Sequence, residues 1–136
     1  MANAKEYVAD TMALVLWLEK RSLPVKVAKI FEEALQDSTK YIIWIPAIVL
    51  AEIGYLSEKE RIEITLSEVI DFINATSGVF RLMSMDALLV EKAFKITDVP
   101  ELHDRLIAGG ALLRECPVLT NDPKLENSAF VHTIWK

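Results

Sequence analysis

One cysteine, four glycines and two histidines are found among 136 residues. The lone Cys116 can form neither an internal disulfide nor a multi-cysteine zinc site. The chain is therefore expected in a reducing, cytoplasmic setting, with Cys116 an inert residue at a helix end. Positive charge is also scarce: 15 Lys and Arg against 20 Asp and Glu leave a net charge of −5. That balance excludes the broad positive field of a general nucleic-acid binder. Long apolar runs are missing as well. The stretch from Thr11 to Leu18 follows Glu6 and Asp10 and runs into Glu-Lys-Arg, where a signal peptide needs a small-residue cleavage site. Ile42 to Ala51 is uncharged, but a membrane span takes about 20 residues. Repeats and low-complexity tracts are absent.

What is present points to one packed domain over 1–136. Hydrophobic residues make up 52% of the chain, too many for disorder. Helical and strand patterns alternate. Strands are expected at Glu6–Ala9, Tyr41–Ile45, Val79–Met83, Pro117–Thr120 and Val131–Trp135. Helices are expected over Thr11–Lys20, from Pro24 onward, over Ala47–Ser57 and over Glu60–Ala75, with a break at Asn74–Gly78. Two more are expected from an Asp86 cap to Ile96 and from Pro100 to Glu115. Asn121-Asp122-Pro123 reads as a turn. Crossovers of this kind join parallel strands and cover both faces of the sheet. The expected fold class is therefore α/β: a three-layer α/β/α sandwich round a mostly parallel sheet. In such sheets a site forms beyond the carboxyl ends of the strands, where strand order reverses.

Most of the acidic residues lie on polar stretches, such as Glu58, Glu60 and Glu63. Four do not. Asp10 ends the first strand, where it also suits a helix N-cap. Glu52 is flanked by Ala51 and Ile53, with Ile48, Val49, Tyr55 and Leu56 one turn away. A carboxylate on that face is expected to be largely desolvated, which costs several kcal/mol unless it is paired or ligated. Asp104 falls in the early turns of its helix, favoured there by the helix dipole. Asp122 follows a strand in a turn. In a parallel sheet these places can converge at one edge. Four carboxylates together would hold several protons unless a cation offset them, and all-oxygen ligands suit Mg²⁺ or Mn²⁺.

Taken in order, YVADTMALVLWL around Asp10, IPAIVLAEIGYL around Glu52, VPELHDRLIAGGALL around Asp104 and PVLTNDPKL around Asp122 resemble the PIN-domain family, and within it the VapC-like toxins of toxin–antitoxin pairs. The likeness runs from about residue 5 to the end. It implies a five-stranded parallel sheet and a Mg²⁺- or Mn²⁺-dependent endoribonuclease acting on RNA. It also implies that Asp10, Glu52, Asp104 and Asp122 are catalytic and bind the metal, with Thr120 in support. A homodimer and a small antitoxin partner are implied too. Gly109-Gly110 departs from the alanines common in such sequences, and tight packing against the sheet is expected there.

Arg105 and Lys124 are candidates for RNA backbone contacts, with Lys20, Arg21 and Lys26 extending a basic rim. His103 neighbours Asp104, but adjacent helix residues point about 100° apart, so it is not expected to be a general base; nor is His132. Trp17 and Trp44 read as core, and Trp135 as an interface residue. Three other classes compete. A non-catalytic protein of the same fold, binding RNA or a protein partner, would not need the intact acidic set. A receiver domain needs paired acids near the first strand, and Asp10 has no acidic neighbour closer than Glu6. Met12 speaks against a phosphohydrolase with Asp-x-Asp.

Overall fold

A computed structural model of the chain describes residues 4–76 and 78–136. The elements run β1 (Lys5–Ala9), α1 (Thr11–Leu18), α2 (Val25–Gln36), β2 (Tyr41–Pro46), α3 (Ala47–Glu58), α4 (Leu66–Ala75), β3 (Phe80–Met83), α5 (Ala87–Phe94), α6 (Leu102–Arg114), β4 (Val118–Leu119), α7 (Pro123–Glu126) and β5 (Thr133–Ile134). The strands form one sheet in the order β3-β2-β1-β4-β5, and every pairing is parallel. Val8 lies beside Trp44 on one side and Val118 on the other.

Val8, Ala9, Ile43, Ile45, Val118 and Leu119 are fully buried, as expected of strands covered on both faces. Right-handed crossovers place α1 to α4 on one face and α5 to α7, on the return path, on the other. The architecture is the expected three-layer α/β/α sandwich. No helix of the described residues is long and apolar enough to cross a membrane.

Several boundaries differ from the sequence expectation. The helix expected from Glu60 starts only at Leu66. Thr65 and Glu68 form a capping box, each side chain serving the other's backbone. The Glu19 carboxylate also takes the N–H groups of Glu63 and Ile64 at 2.7 and 2.9 Å. Residues 60–64 are thereby held as a turn ahead of the helix. The break expected over 74–78 includes Ser77, outside the described residues. The helix expected from Pro100 starts at Leu102, with Glu101 as its cap. The 121–123 turn opens a short helix, α7, with Pro123 in its first turn. The last two strands are only two residues long.

Trp17 and Trp44 are half-buried at the edge of the core rather than inside it. Trp17 stacks on Phe31 at 5.2 Å between ring centres. The Trp44 indole N–H donates to Glu6 at 2.7 Å, and the Arg114 guanidinium sits 4.7 Å from its ring. Trp135 is also half-buried against the core. The Gly109-Gly110 pair is a close approach, as expected, but only half of it faces the sheet. A Cβ on Gly109 would meet the Ala93 backbone of α5 at 2.9 Å, whereas one on Gly110 would meet the Met83 sulfur of β3 at 2.5 Å.

Candidate active site

Strand order decides where a site can form. From the central β1 the chain moves outward through β2 and β3, then returns to the other side of β1 to lay down β4 and β5. The reversal lies between β1 and β4, so a crevice opens beyond their carboxyl ends. Asp10 follows β1, and Thr120 and Asp122 follow β4. Helix α6 runs antiparallel to the strands, so its first turn, with Asp104, arrives at the same end. Helix α3 leaves β2 there and carries Glu52.

Each acid is held locally. Asp10 caps α1, with Oδ1 accepting the Ala13 N–H at 2.8 Å. Asp122 caps α7 and accepts the Lys124 N–H at 2.9 Å. The buried Thr120 links the two, because its Oγ1 accepts the Asp122 N–H at 3.0 Å while its hydroxyl donates to Asp10. Glu52 accepts the hydroxyl of buried Thr11 at 3.0 Å. Contrary to expectation, Glu52 is only half-buried, because Ala51 and Tyr55 on its flank are exposed. The helix face that looked apolar in sequence borders an open groove rather than the core.

A family model of the PIN domain matches residues 7–131. This chain belongs to the PIN domain family. This PIN domain shares its fold with several solved structures. One is a chain of VapBC2 from Rickettsia felis bound to a promoter DNA fragment, at 19% identity, covering 96% of this chain and 99% of that one, with a TM-score of 0.71. Another is a chain of DNA-bound VapBC from Salmonella typhimurium, at 21% identity, covering 96% and 97%, with a TM-score of 0.67. FitAcB from Neisseria gonorrhoeae follows at 16% identity, 94% and 96% coverage and a TM-score of 0.61. No curated protein matches the sequence.

The electrostatics of this PIN domain single out the same crevice. Burial, reinforced by the charges of Glu52 and Asp122, pushes the Asp10 carboxyl up to about 6 despite the bonds from Thr120 and Ala13. Burial likewise pushes Asp104 up to about 7, helped by the charge of Asp122, a hydrogen bond shared with it, and the charge of Glu101; Lys124 works the other way. Among the described residues no Lys, Arg or His forms an ion pair with any of the four acids. Negative charge is thus gathered here without a fixed counter-charge.

The donor chemistry fits a hard divalent cation: carboxylate oxygens, with a hydroxyl bracing them. The spacing is looser than the chemistry. Among the described residues no three His, Cys, Asp or Glu side chains stand ready to hold a metal ion together. The acids are linked pair by pair instead: Asp10 to Glu52, Asp10 to Asp122, and Asp122 to Asp104.

The other candidates fall out unevenly. Lys124 is exposed and its charge reaches Asp104. Arg105 is tied elsewhere, donating to the Val99 carbonyl at 2.7 Å with its guanidinium 5.2 Å from the Phe94 ring. Arg21 pairs with Glu19 at 3.2 Å, beyond the far end of α1 from Asp10. Cys116 is pushed up to about 12 by burial and remains a thiol.

Sequence reasoning missed Glu101. It caps α6 by accepting the Asp104 N–H at 2.8 Å and takes the His103 Nδ1 at 2.8 Å. Burial opposes its ionisation, but these bonds outweigh it and bring the carboxyl down to about 2. Bonding to Glu101 in turn raises His103, which also feels Glu52 and Asp104. An acid just after Pro100 and three residues before Asp104 was the available cap signal. Thr11, next to Asp10, was missed because its partner Glu52 lies 41 residues away.

Proposed function

We propose that this PIN domain is a Mg²⁺- or Mn²⁺-dependent endoribonuclease that hydrolyses RNA phosphodiester bonds, and that it is the toxin of a toxin–antitoxin pair. One observation carries the reading. Asp10, Glu52, Asp104 and Asp122, from four separate elements, are coupled pair by pair at one end of the sheet, with burial and the charge of neighbouring acids raising Asp10 and Asp104. A protein gains no stability from such an arrangement; a cation-dependent site needs it.

When bound, the divalent ion would supply the positive charge that a phosphodiester and its attacking water require near neutral pH. Asp10, Glu52, Asp104 and Asp122 would hold it. Thr120 fixes the spacing of Asp10 and Asp122. The Glu101 carboxylate anchors the first turn of α6, and so sets where Asp104 stands. Lys124 lies on the rim, where it suits an RNA phosphate. The acidic net charge disfavours RNA over much of the surface, so the cation and rim lysines such as Lys124 would supply the local attraction.

The fold neighbours include toxin–antitoxin complexes, which supports a small antitoxin as partner. We also propose a homodimer.

The test is RNA cleavage with Mn²⁺, with Mg²⁺ and with EDTA, beside an Asp104→Asn variant. Cleavage that is lost both with EDTA and in the variant supports the reading, whereas cleavage that survives both overturns it. The loose spacing of the acids favours one alternative, a non-catalytic protein of this fold that binds RNA or a protein partner. Asp10→Asn separates the two, because it leaves toxicity unchanged only under the alternative.

A further inference from the structure

A second groove, of about 360 Å³, opens beside the acids, between α3 and the first turn of α6. Ala51, Leu56, Tyr55 and His103 line it, and Glu52 forms its edge. Glu52 and Tyr55 are three residues apart on one helix, so they share a face. Tyr55 is 58% exposed. One turn further on, the Lys59 ammonium lies 5.5 Å from that ring. On the opposite wall the His103 ring is held by Glu101 at 2.8 Å.

An isolated exposed tyrosine needs no explanation. This one differs in where it stands. The groove is lined by apolar side chains and by the Tyr55 and His103 rings, the Lys59 ammonium stands over the Tyr55 ring, and Glu52 belongs both to the groove and to the acidic set. Proteins that recognise single-stranded RNA splay bases out and stack them on aromatic side chains, with cations tracking the backbone. We propose that this groove is a nucleobase subsite for the RNA strand. The base next to the scissile phosphate stacks on Tyr55, and Lys59 meets the following phosphate. The proposal rests on the ribonuclease reading for the identity of the strand, but its stacking step can be measured without cleavage.

The decisive reagents are short single-stranded RNAs carrying 2-aminopurine at each position in turn, whose fluorescence is quenched by stacking. Wild type and Tyr55→Phe should quench the probe at one position, and Tyr55→Ala should not. In cleavage assays Tyr55→Ala should raise KM roughly 5- to 150-fold, as loss of one base–aromatic stack does, with kcat little changed. Tyr55→Phe should restore KM. An RNA abasic at the quenched position should be cut equally by wild type and Tyr55→Ala.

Cleavage by wild type with no position-specific quenching, or an unchanged KM in Tyr55→Ala, overturns the subsite and leaves the nuclease reading intact. Quenching by wild type without cleavage supports the subsite and overturns the nuclease reading. If Tyr55→Ala instead turns a dimer into a monomer and leaves quenching intact, the groove is a contact between two copies of the chain and the subsite is overturned.

Discussion

Glu6 and Asp10 stand four residues apart on either end of the same strand, and they are treated in opposite ways. Glu6 accepts the Trp44 indole N–H at 2.7 Å and two bonds from Arg114, at 2.8 and 3.0 Å. Burial pushes its carboxyl up, but these bonds and the arginine charge hold it below its ordinary value. At the other end Asp10 has only a hydroxyl and one backbone N–H, with two like charges for company, and it rises to about 6. Glu19 and Asp98 follow Glu6, each lowered by hydrogen-bond donors that outweigh burial. Asp104 follows Asp10. Glu6, Glu19 and Asp98 are met by hydrogen-bond donors, whereas Asp10 and Asp104 are raised by burial and neighbouring acids, even though Glu101 beside Asp104 is lowered by its own bonds. Under the proposed function, that difference marks where a cation would bind.

The sharpest break of this contrast is Asp104→Asn. We expect cleavage to fall on the order of 10²–10³-fold, measured with saturating Mn²⁺, while thermal stability of the metal-free protein does not fall. A loss of stability would mean that Asp104 belongs with Glu6 rather than with Asp10.

The next test is pH. Asp10 and Asp104 hold protons in the folded chain above the ordinary carboxyl value of 3.8. The unfolded chain releases those protons near 3.8. The stability they contribute is therefore complete below about 4 and is lost as pH rises through 6 to 7. For Asp10 the loss is at most about 3 kcal/mol. Glu6, Glu19 and Asp98 act in reverse, contributing above the ordinary carboxyl range and failing as pH drops. Melting curves in EDTA should show the high-pH loss. It should disappear in an Asp10→Asn, Asp104→Asn double variant, and Mg²⁺ should reverse it in wild type by binding the folded state.

Helix α6 ties the two ends together, because it carries Asp104 in its first turn and Arg114 in its last. Its seat depends on Gly109. Gly109→Ala drives a methyl into the Ala93 backbone, costing about 2 kcal/mol after the gain in helix propensity. Gly110→Ala meets only the movable Met83 side chain, and should cost less. Chemical denaturation of both variants checks the order. The smallest effect expected is Glu6→Gln, about 1 kcal/mol of stability with cleavage unchanged, which would confine the neutralised end to a structural part.

The fold was readable because its strands are continuous apolar runs such as YIIWI and its helices carry striped faces. Local hydrogen bonding was not. The Glu60–Ile64 segment has helical composition, yet the Thr65 capping box and a carboxylate 45 residues away keep it out of the helix. Asp10, Glu52, Asp104 and Asp122 could be picked out because each interrupts an apolar context or ends an element. Glu101 was passed over despite its cap position three residues before Asp104, since its second tie, to the His103 ring, is visible only in the structure. The exposure of Glu52 was misread for a related reason: periodicity says which residues share a face, but not whether that face meets core or groove.

The two halves of the crevice also differ in how firmly they are mounted. Asp10 and Glu52 follow strands joined to their neighbours over four residue pairs. Thr120 and Asp122 hang from β4, which is joined to β1 by two pairs and to β5 by two more. Backbone amides from Val118 to Asp122 should exchange with solvent by local opening, well before the central ladder lets go. A crevice mounted firmly on one side and lightly on the other can widen by local opening of one wall while the central strands stay paired.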